Sequence, residues 1–425
     1  IAMREKSLEV IDAAMASSDE LRIQYAARQS SISNAYKKWI GQNMGLERFD
    51  AVKKKKQKEA AFLELADTKG NSEYVDALES LRKLHLDVRP YQLARDMFIE
   101  FYFYGPQILN FTRRVDALLA AIESEEPEEK VEDLREKAIR SVTNFYQDYD
   151  VNTDRKVFEA LLGPYSEAVQ KDLQPEALDV FHKKYGGDVE EYTDYVFSKS
   201  VFADQAELLK ILQSGKAKKI LKLQEDPAHE LSASFLAGYT TDIKPSFDSL
   251  TAQIDAGMQI YMKGLMELYP DENYWSEANS TLRVTYGEVE GCIPRDGLQY
   301  MPTTSLDGVV QKYIPGDREF DVPERLLSLY ESEDYGRYGS GGTLNVAFLA
   351  SNHTTGGNSG SPVLNANGEL IGLNFDRSWE STMSDLMFNP EICRNISVDI
   401  RYILFIVDKY AGAGWLLDEM NLKEK

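Results

Sequence analysis

Near the C-terminus the segment Thr354-Thr355-Gly356-Gly357-Asn358-Ser359-Gly360-Ser361-Pro362-Val363 sets a serine among glycines, and these residue types in this order suit nucleophilic chemistry. Acyl transfer by serine needs a hydroxyl presented on a tight turn, with backbone N–H groups aimed at the oxygen that becomes negative in the tetrahedral intermediate. Gly357 and Gly360 permit that turn, because glycine adopts positive φ and lets a substrate carbonyl approach the backbone. Ser359 is the candidate nucleophile, and the N–H groups of Gly357 and Ser359 are the candidate oxyanion hole. A plain Gly/Ser/Pro connection between two strands uses the same residue types without any chemistry. The complete Gly-Asn-Ser-Gly-Ser-Pro string followed by an apolar strand favours the nucleophile.

A serine nucleophile also needs a base within hydrogen-bond reach, usually a histidine held by a carboxylate. The chain has four histidines: His85, His182, His229 and His353. The first three lie in helical-looking sequence, where surface or packing roles are the common ones. His353 stands just upstream of Ser359; in chymotrypsin-like peptidases, whose nucleophile loop this segment resembles, that place is the floor of the first specificity pocket and does not double as the base. The chain holds half of an active site.

From about Thr281 to Leu422, and more loosely over the helical region before it, the sequence resembles the bacterial dipeptidyl-peptidase 7 and 11 family of serine peptidases. The match is carried by Thr355 to Pro362, by Gly372-Leu373-Asn374-Phe375-Asp376-Arg377-Ser378-Trp379-Glu380, by Phe320-Asp321-Val322-Pro323, and by Ser31-Ile32-Ser33-Asn34-Ala35-Tyr36-Lys37-Lys38-Trp39 near the start. The resemblance implies a large helical domain inserted into a double β-barrel catalytic domain, with the catalytic histidine and aspartate in the N-terminal part. A chain that begins Ile1-Ala2-Met3-Arg4, without a signal peptide, is then expected to be a fragment lacking the first barrel, and no catalytic His or Asp carries over onto it.

The same resemblance assigns the substrate's α-ammonium to Asp376, helped by the amide of Asn34, and the side chain before the scissile bond to Arg377. Relatives of broad hydrophobic specificity have glycine at that position, so arginine implies the branch specific for Asp and Glu. The physics agrees, since a guanidinium presents a planar fork to a carboxylate and forms two charge-assisted hydrogen bonds. A charge on this strand is costly unless a ligand completes it. The competing reading is a surface ion pair between Asp376 and Arg377, which the opposite facing of adjacent strand residues disfavours. His353 at the pocket floor is either a second donor or a hydrogen-bonded structural residue.

The elements that position these residues are of two kinds. Up to residue 277 the chain is rich in Ala, Leu, Glu and Lys, with apolar residues at helical spacing such as Leu8, Ile11 and Met15. This reads as a helical domain over 1–277. Its expected breaks are Gly41 to Gly45, Gly70-Asn71, Arg89-Pro90, the acidic run Glu123 to Glu129, and Gly186-Gly187. The run Lys53 to Lys56 reads as a solvated helix face. Residues 278–425 turn to short β-rich runs: Thr281 to Gly287, Leu344 to Leu349, and Glu369 to Phe375, with a hairpin at Asn365-Ala366-Asn367-Gly368. Arg318 to Gly342, carrying Asp334, Tyr335 and Tyr338, reads as a surface loop near the site. Tyr402 to Val407 reads as a buried C-terminal helix. The fold class is α+β: an all-helical domain followed by one chymotrypsin-like β-barrel half with a C-terminal helix.

With 425 residues, 43% hydrophobic and 28% charged, the composition is that of a globular chain with a large core. A formal charge of −22 sets aside nucleic acid and anionic membranes, whose phosphates such a chain repels. No apolar run reaches spanning length. Cys292 and Cys393 lack zinc-site spacing and form either one disulfide or two buried thiols; no metal or cofactor is implied. Three readings follow: an exopeptidase releasing dipeptides after Asp or Glu, the same chemistry with hydrophobic preference, or a peptide-binding module without catalysis. By resemblance the partners are peptides with free N-termini and an acidic second residue. Full-length members are exported and homodimeric, which implies the bacterial periplasm or cell surface.

Overall fold

A computed structural model of the chain describes residues 1–274, 281–317 and 319–423. They form two compact units: Ile1–Lys37 with Gln57–Tyr274, and Lys38–Lys56 with Trp275–Lys425. The change of pattern expected at residues 277 and 278 falls outside the described residues, as does Arg318. No helix among the described residues is long and apolar enough to cross a membrane.

The first unit is helical. It contains α1 (Ala2–Ser17) and the first part of α2 (Asp19–Arg48), followed by most of α3 (Ala51–Thr68), by α4 (Ser72–Phe98), and by shorter helices up to Lys244–Leu268. The apolar spacing read in α1 is the buried face, with Leu8, Ile11 and Met15 all in the core. Aromatic rings fill the centre, where Phe101 stacks on Phe235 at 5.1 Å and Phe111 on Phe145 at 3.8 Å. The chain breaks as expected after Gly70, through the acidic run and at Gly186-Gly187. It does not break at Pro90. A proline in a helix interior costs about 3 kcal/mol, but α4 buries Tyr74, Leu78, Leu81, Val88 and Phe98 on either side of it and continues to Phe98.

The second unit carries the sheets. β1 (Cys292–Arg295) and β2 (Leu298–Tyr300) form a hairpin. β3 (Thr303–Ser305), β4 (Asn345–Ala350), β5 (Pro362–Leu364), β6 (Leu370–Arg377) and β7 (Asn395–Asp399) form an antiparallel five-stranded sheet in the order β3-β4-β7-β6-β5. The hairpin read at Asn365 to Gly368 joins β5 to β6, with Gly368 at φ +76°. Thr281 to Gly287, expected as a strand, is not one. Alternation alone does not make a strand without a neighbour to pair with, and here Leu282, Val284 and Tyr286 are 93%, 86% and 92% exposed.

Two further expectations are corrected in this unit. The connection before Gly342 is no surface loop: it forms a helix at Glu324–Glu331, and Tyr335 and Tyr338 are buried with Leu306, Leu326 and Phe405 of the C-terminal helix Ile400–Phe405. Tyr338 also donates to Asp408 Oδ2 at 2.8 Å. Gly41 and Gly45 do not end α2, which runs through both to Arg48. They lie one helical turn apart, and each admits a side chain that a methyl group would displace. At Gly45 a Cβ would sit 2.7 Å from Met383 Cγ, and at Gly41 it would collide with the Thr382 side chain. Packing thus overrides the weak helical propensity of glycine.

Replacing an interior helix glycine with alanine ordinarily stabilises by about 0.8–1 kcal/mol. Gly45→Ala is expected to do the reverse and lower the melting temperature by several degrees, because the added methyl group meets the fully buried Met383 at 2.7 Å and forces it to shift. In a Met383→Ala background the same change should cease to be destabilising. Calorimetry of the four proteins of that cycle checks it.

Candidate active site

The loop between β4 and β5 is shaped by its own polar groups. Thr355 N–H donates to Asn358 Oδ1 at 2.9 Å, Asn358 N–H to Thr355 O at 3.2 Å, and Ser361 N–H to Asn358 O at 3.0 Å. Gly357 has φ +103° and Gly360 φ +82°, and in each case open space surrounds the missing Cβ. Conformation, not room, is what requires glycine at both. Ser359 is exposed between them, its Oγ 3.4 Å from Phe375 O. Among the described residues the N–H groups of Gly357 and Ser359 donate to no protein acceptor. They are thus open to the role of an oxyanion hole.

Asn374 on β6 holds this loop from beneath, and its role is not visible in the sequence. Its Nδ2 donates to Asn358 O at 3.1 Å, its carbonyl accepts from Gly360 N–H at 2.7 Å, and its own N–H donates to Ser361 O at 3.0 Å. The residues immediately around Ser359 are fixed by one strand residue. The next step along β6 is irregular: Asn374 pairs with Ser397, but Asp376 pairs with Ile396 and Arg377 with Asn395. One extra residue is accommodated on β6, a β-bulge, which re-aims the side chains that follow. Asn374 and Arg377 share the buried side with Ser397 and Asn395, and Asp376 is exposed on the other.

Asp376 and Arg377 therefore do not pair through their side chains. Asp376 Oδ1 accepts only the Arg377 backbone N–H, at 2.7 Å, and takes part in no ion pair among the described residues. Asn34 is exposed on α2, in the first unit.

Arg377 differs from expectation, because its charge is not waiting for a ligand to complete it. Its Nη1 donates to Ser384 Oγ and to Asp385 Oδ1, both at 2.7 Å, and to Thr354 O at 3.3 Å, while Nη2 reaches Asp385 Oδ2 at 3.2 Å. Lys38 Nζ lies 3.3 Å from the same Asp385 oxygen. Burial opposes ionisation of Asp385, but hydrogen bonds from Arg377 and Thr355, the guanidinium charge and Lys38 outweigh it and hold the carboxyl down at about 2. Ser384, Asp385 and Lys38 had no signal in the sequence; a pairing across a loop has no period to read.

No described group serves Ser359 as a base. His353 packs its ring 4.7 Å from Phe388, and its Nε2 is buried without a hydrogen-bond partner among the described residues. His182 lies 2.9 Å from Gln174 Oε1 and His229 lies 3.0 Å from Asp116 Oδ1, both in the first unit, and His85 is exposed there. Cys292 and Cys393 are buried free thiols, which settles the alternative left open by their spacing. Among the described residues no group of three or more His, Cys, Asp or Glu could hold a metal ion.

Residues 1–422 match the model of the family described as Peptidase S46, and the chain belongs to that family. It is 42% identical to the Asp/Glu-specific dipeptidyl-peptidase of Flavobacterium psychrophilum, over 99% of this chain and 58% of that protein. It is 36% identical to dipeptidyl-peptidase 7 of Porphyromonas gingivalis, over 96% of this chain and 56% of that protein. Among solved structures, DPP11 of Porphyromonas endodontalis in complex with the dipeptide Arg-Asp superposes with a TM-score of 0.87 at 30% identity, over 99% of this chain and 59% of that one. The chain thus spans somewhat over half the length of the relatives it matches.

The Asp385 carboxyl titrates below its unfolded value, so it stabilises the fold above the unfolded pKa and that contribution is lost as the pH falls through the folded one. The melting-temperature difference between wild type and Asp385→Asn is expected to be constant from about pH 7 to 5, to shrink below about pH 4 and to level off at its low-pH value only below about pH 2. Calorimetry across that range reads it directly. A difference independent of pH would mean that the carboxylate's charge has no part in it.

Proposed function

We propose that this chain supplies the nucleophile and the substrate pocket of a serine exopeptidase that releases dipeptides from free N-termini after Asp or Glu. The observation that carries the reading is the Ser359 loop, clamped by Asn374, on the same short strand as Asp376 and Arg377. In this account Ser359 Oγ attacks the carbonyl carbon of the second residue, and the N–H groups of Gly357 and Ser359 receive the negative charge that develops on the carbonyl oxygen. The amine of the third residue leaves with a proton, and water then releases the dipeptide from the acyl-enzyme. The base and its carboxylate come from sequence of the kind that the longer relatives carry beyond the matched segment. The five-stranded sheet is then one half of a chymotrypsin-like pair of barrels. Residues 1–425 alone are expected to show only the residual acceleration left when a triad loses its base, on the order of 10³ over water.

Specificity follows from charge. Asp376, exposed and without an ion pair among the described residues, receives the α-ammonium. Arg377 receives the carboxylate of the second residue, and His353 lies at the pocket floor. The names of the F. psychrophilum relative and of the DPP11 complex with Arg-Asp support an acidic second residue. On this reading the protein is exported to the periplasm or cell surface and pairs with a second copy of itself.

In the protein at its natural length, Ser359→Ala should abolish turnover. Arg377→Gly should reduce cleavage after Glu relative to Leu by about 2–4 kcal/mol, roughly thirty- to a thousand-fold in the ratio of kcat/KM, since only the acidic substrate loses its partner. Parallel kinetics with Glu- and Leu-containing dipeptidyl reporters measure the ratio. An unchanged ratio would transfer the assignment to the hydrophobic branch of the same chemistry.

N-acetylated reporters should be refused, and Asp376→Ala should weaken the preference for a free amine by about 1.5–3 kcal/mol, the worth of a charge-assisted hydrogen bond. Equal cleavage of free and acetylated substrates would show an endopeptidase instead.

A further inference from the structure

The acid specificity proposed above rests on Arg377, so the groups already bound to its guanidinium decide how strongly it can hold a second carboxylate. The side chain of Arg377 is only 15% exposed, and that of Asp385 21%. The end of the guanidinium formed by Nη1 and Nη2 is filled by Asp385 in a bidentate pair, with Ser384 Oγ and Thr354 O on Nη1. Nε donates to no acceptor among the described residues, which leaves the edge made by Nε and Nη2 for a substrate. Lys38 adds a second positive charge, 3.3 Å from Asp385 Oδ2. The cluster therefore contains two cations and one anion.

A buried guanidinium without a partner is costly, and Asp385 removes that cost in the empty pocket. The same carboxylate works against an arriving acid. It cancels part of the field of Arg377 and repels a like charge brought to the neighbouring edge of the same guanidinium. We propose that Asp385 is a resident competitor for Arg377, counterweighted by Lys38, and that it limits how strongly an acidic substrate side chain is preferred over a neutral one. The inference rests on the reading of Arg377 as the acid-recognising residue.

The test uses the protein at its natural length and the ratio of kcat/KM for paired Glu and Leu dipeptidyl reporters. Asp385→Asn keeps an acceptor beside Nη1 and removes the charge. It should raise the Glu-to-Leu ratio on the order of tenfold, mainly through a lower KM for the Glu substrate. Lys38→Met should move the ratio the opposite way; Lys38 is 45% exposed, so its replacement leaves the fold intact even where Asp385→Asn does not. A ratio that stays level or falls in Asp385→Asn overturns the proposal, since a residue that only positioned Arg377 would lose acid preference when removed. An unchanged ratio in Lys38→Met overturns it as well. Arg377→Gly separates the two levels: if it leaves the ratio unchanged, the acid-specific reading itself fails; if it collapses the ratio while Asp385→Asn does not raise it, only the competitor role fails.

Discussion

Between Asn374, which pairs with Ser397, and Asp376, which pairs with Ile396, β6 accommodates one residue more than β7, and the loop bearing Ser359 is hydrogen-bonded to β6 at that same point. Without the bulge, strict alternation would put Asn374 and Asp376 on one side and Arg377 on the other. With it, Asn374 stays beneath the loop, Arg377 joins it on the buried side, and Asp376 turns to solvent. The sides on which the two charges stand follow from this one irregularity, while the Ser359 loop is held by Asn374 just before it. Positive φ at Gly357 and Gly360 does the remainder locally.

The charges around Arg377 show how the fold tolerates a guanidinium where solvent is scarce. An arginine with so little exposure needs acceptors, and the structure provides a serine hydroxyl, a backbone carbonyl and a bidentate carboxylate. The Asp385 segment is itself held in place from the other side, because Thr382 and Met383 sit against the two glycines of α2 and Lys38 on the same helix meets Asp385. Helix packing and the charges around Arg377 are therefore one arrangement within the second unit. Thr382 and Met383, which meet Gly41 and Gly45, lie within three residues of Asp385, the partner of Arg377.

What the sequence made legible was local. The glycines that set the loop conformation, the hairpin after β5 and the apolar stripe of α1 depend on residues close together in the chain, and each is found where it was read. What it hid depended on partners far away. Gly41, Gly45 and Pro90 carry breaking propensities that tertiary packing overrides. The run from Thr281 to Gly287 pairs with no strand among the described residues, and Tyr335 and Tyr338 belong to a core completed by the C-terminal helix. The bulge in β6 and the pair between Arg377 and Asp385 arise from strand register and loop closure, neither of which leaves a period in the sequence. The sequence resemblance, in turn, implied roles for Asp376 and Arg377 but gave no hint of the carboxylate at the guanidinium.

The central proposal is that Ser359, in the loop held by Asn374, is the nucleophile of a peptidase that releases dipeptides from free N-termini. The most direct measurement is mass mapping of the protein, at its natural length, after reaction with an aryl phosphonate ester built on a dipeptide with a free amine and an acidic second side chain. The account predicts a single adduct on the peptide containing Ser359, formed more slowly when the amine is acetylated. An adduct on any other residue, or full activity with Ser359 unmodified, would contradict it.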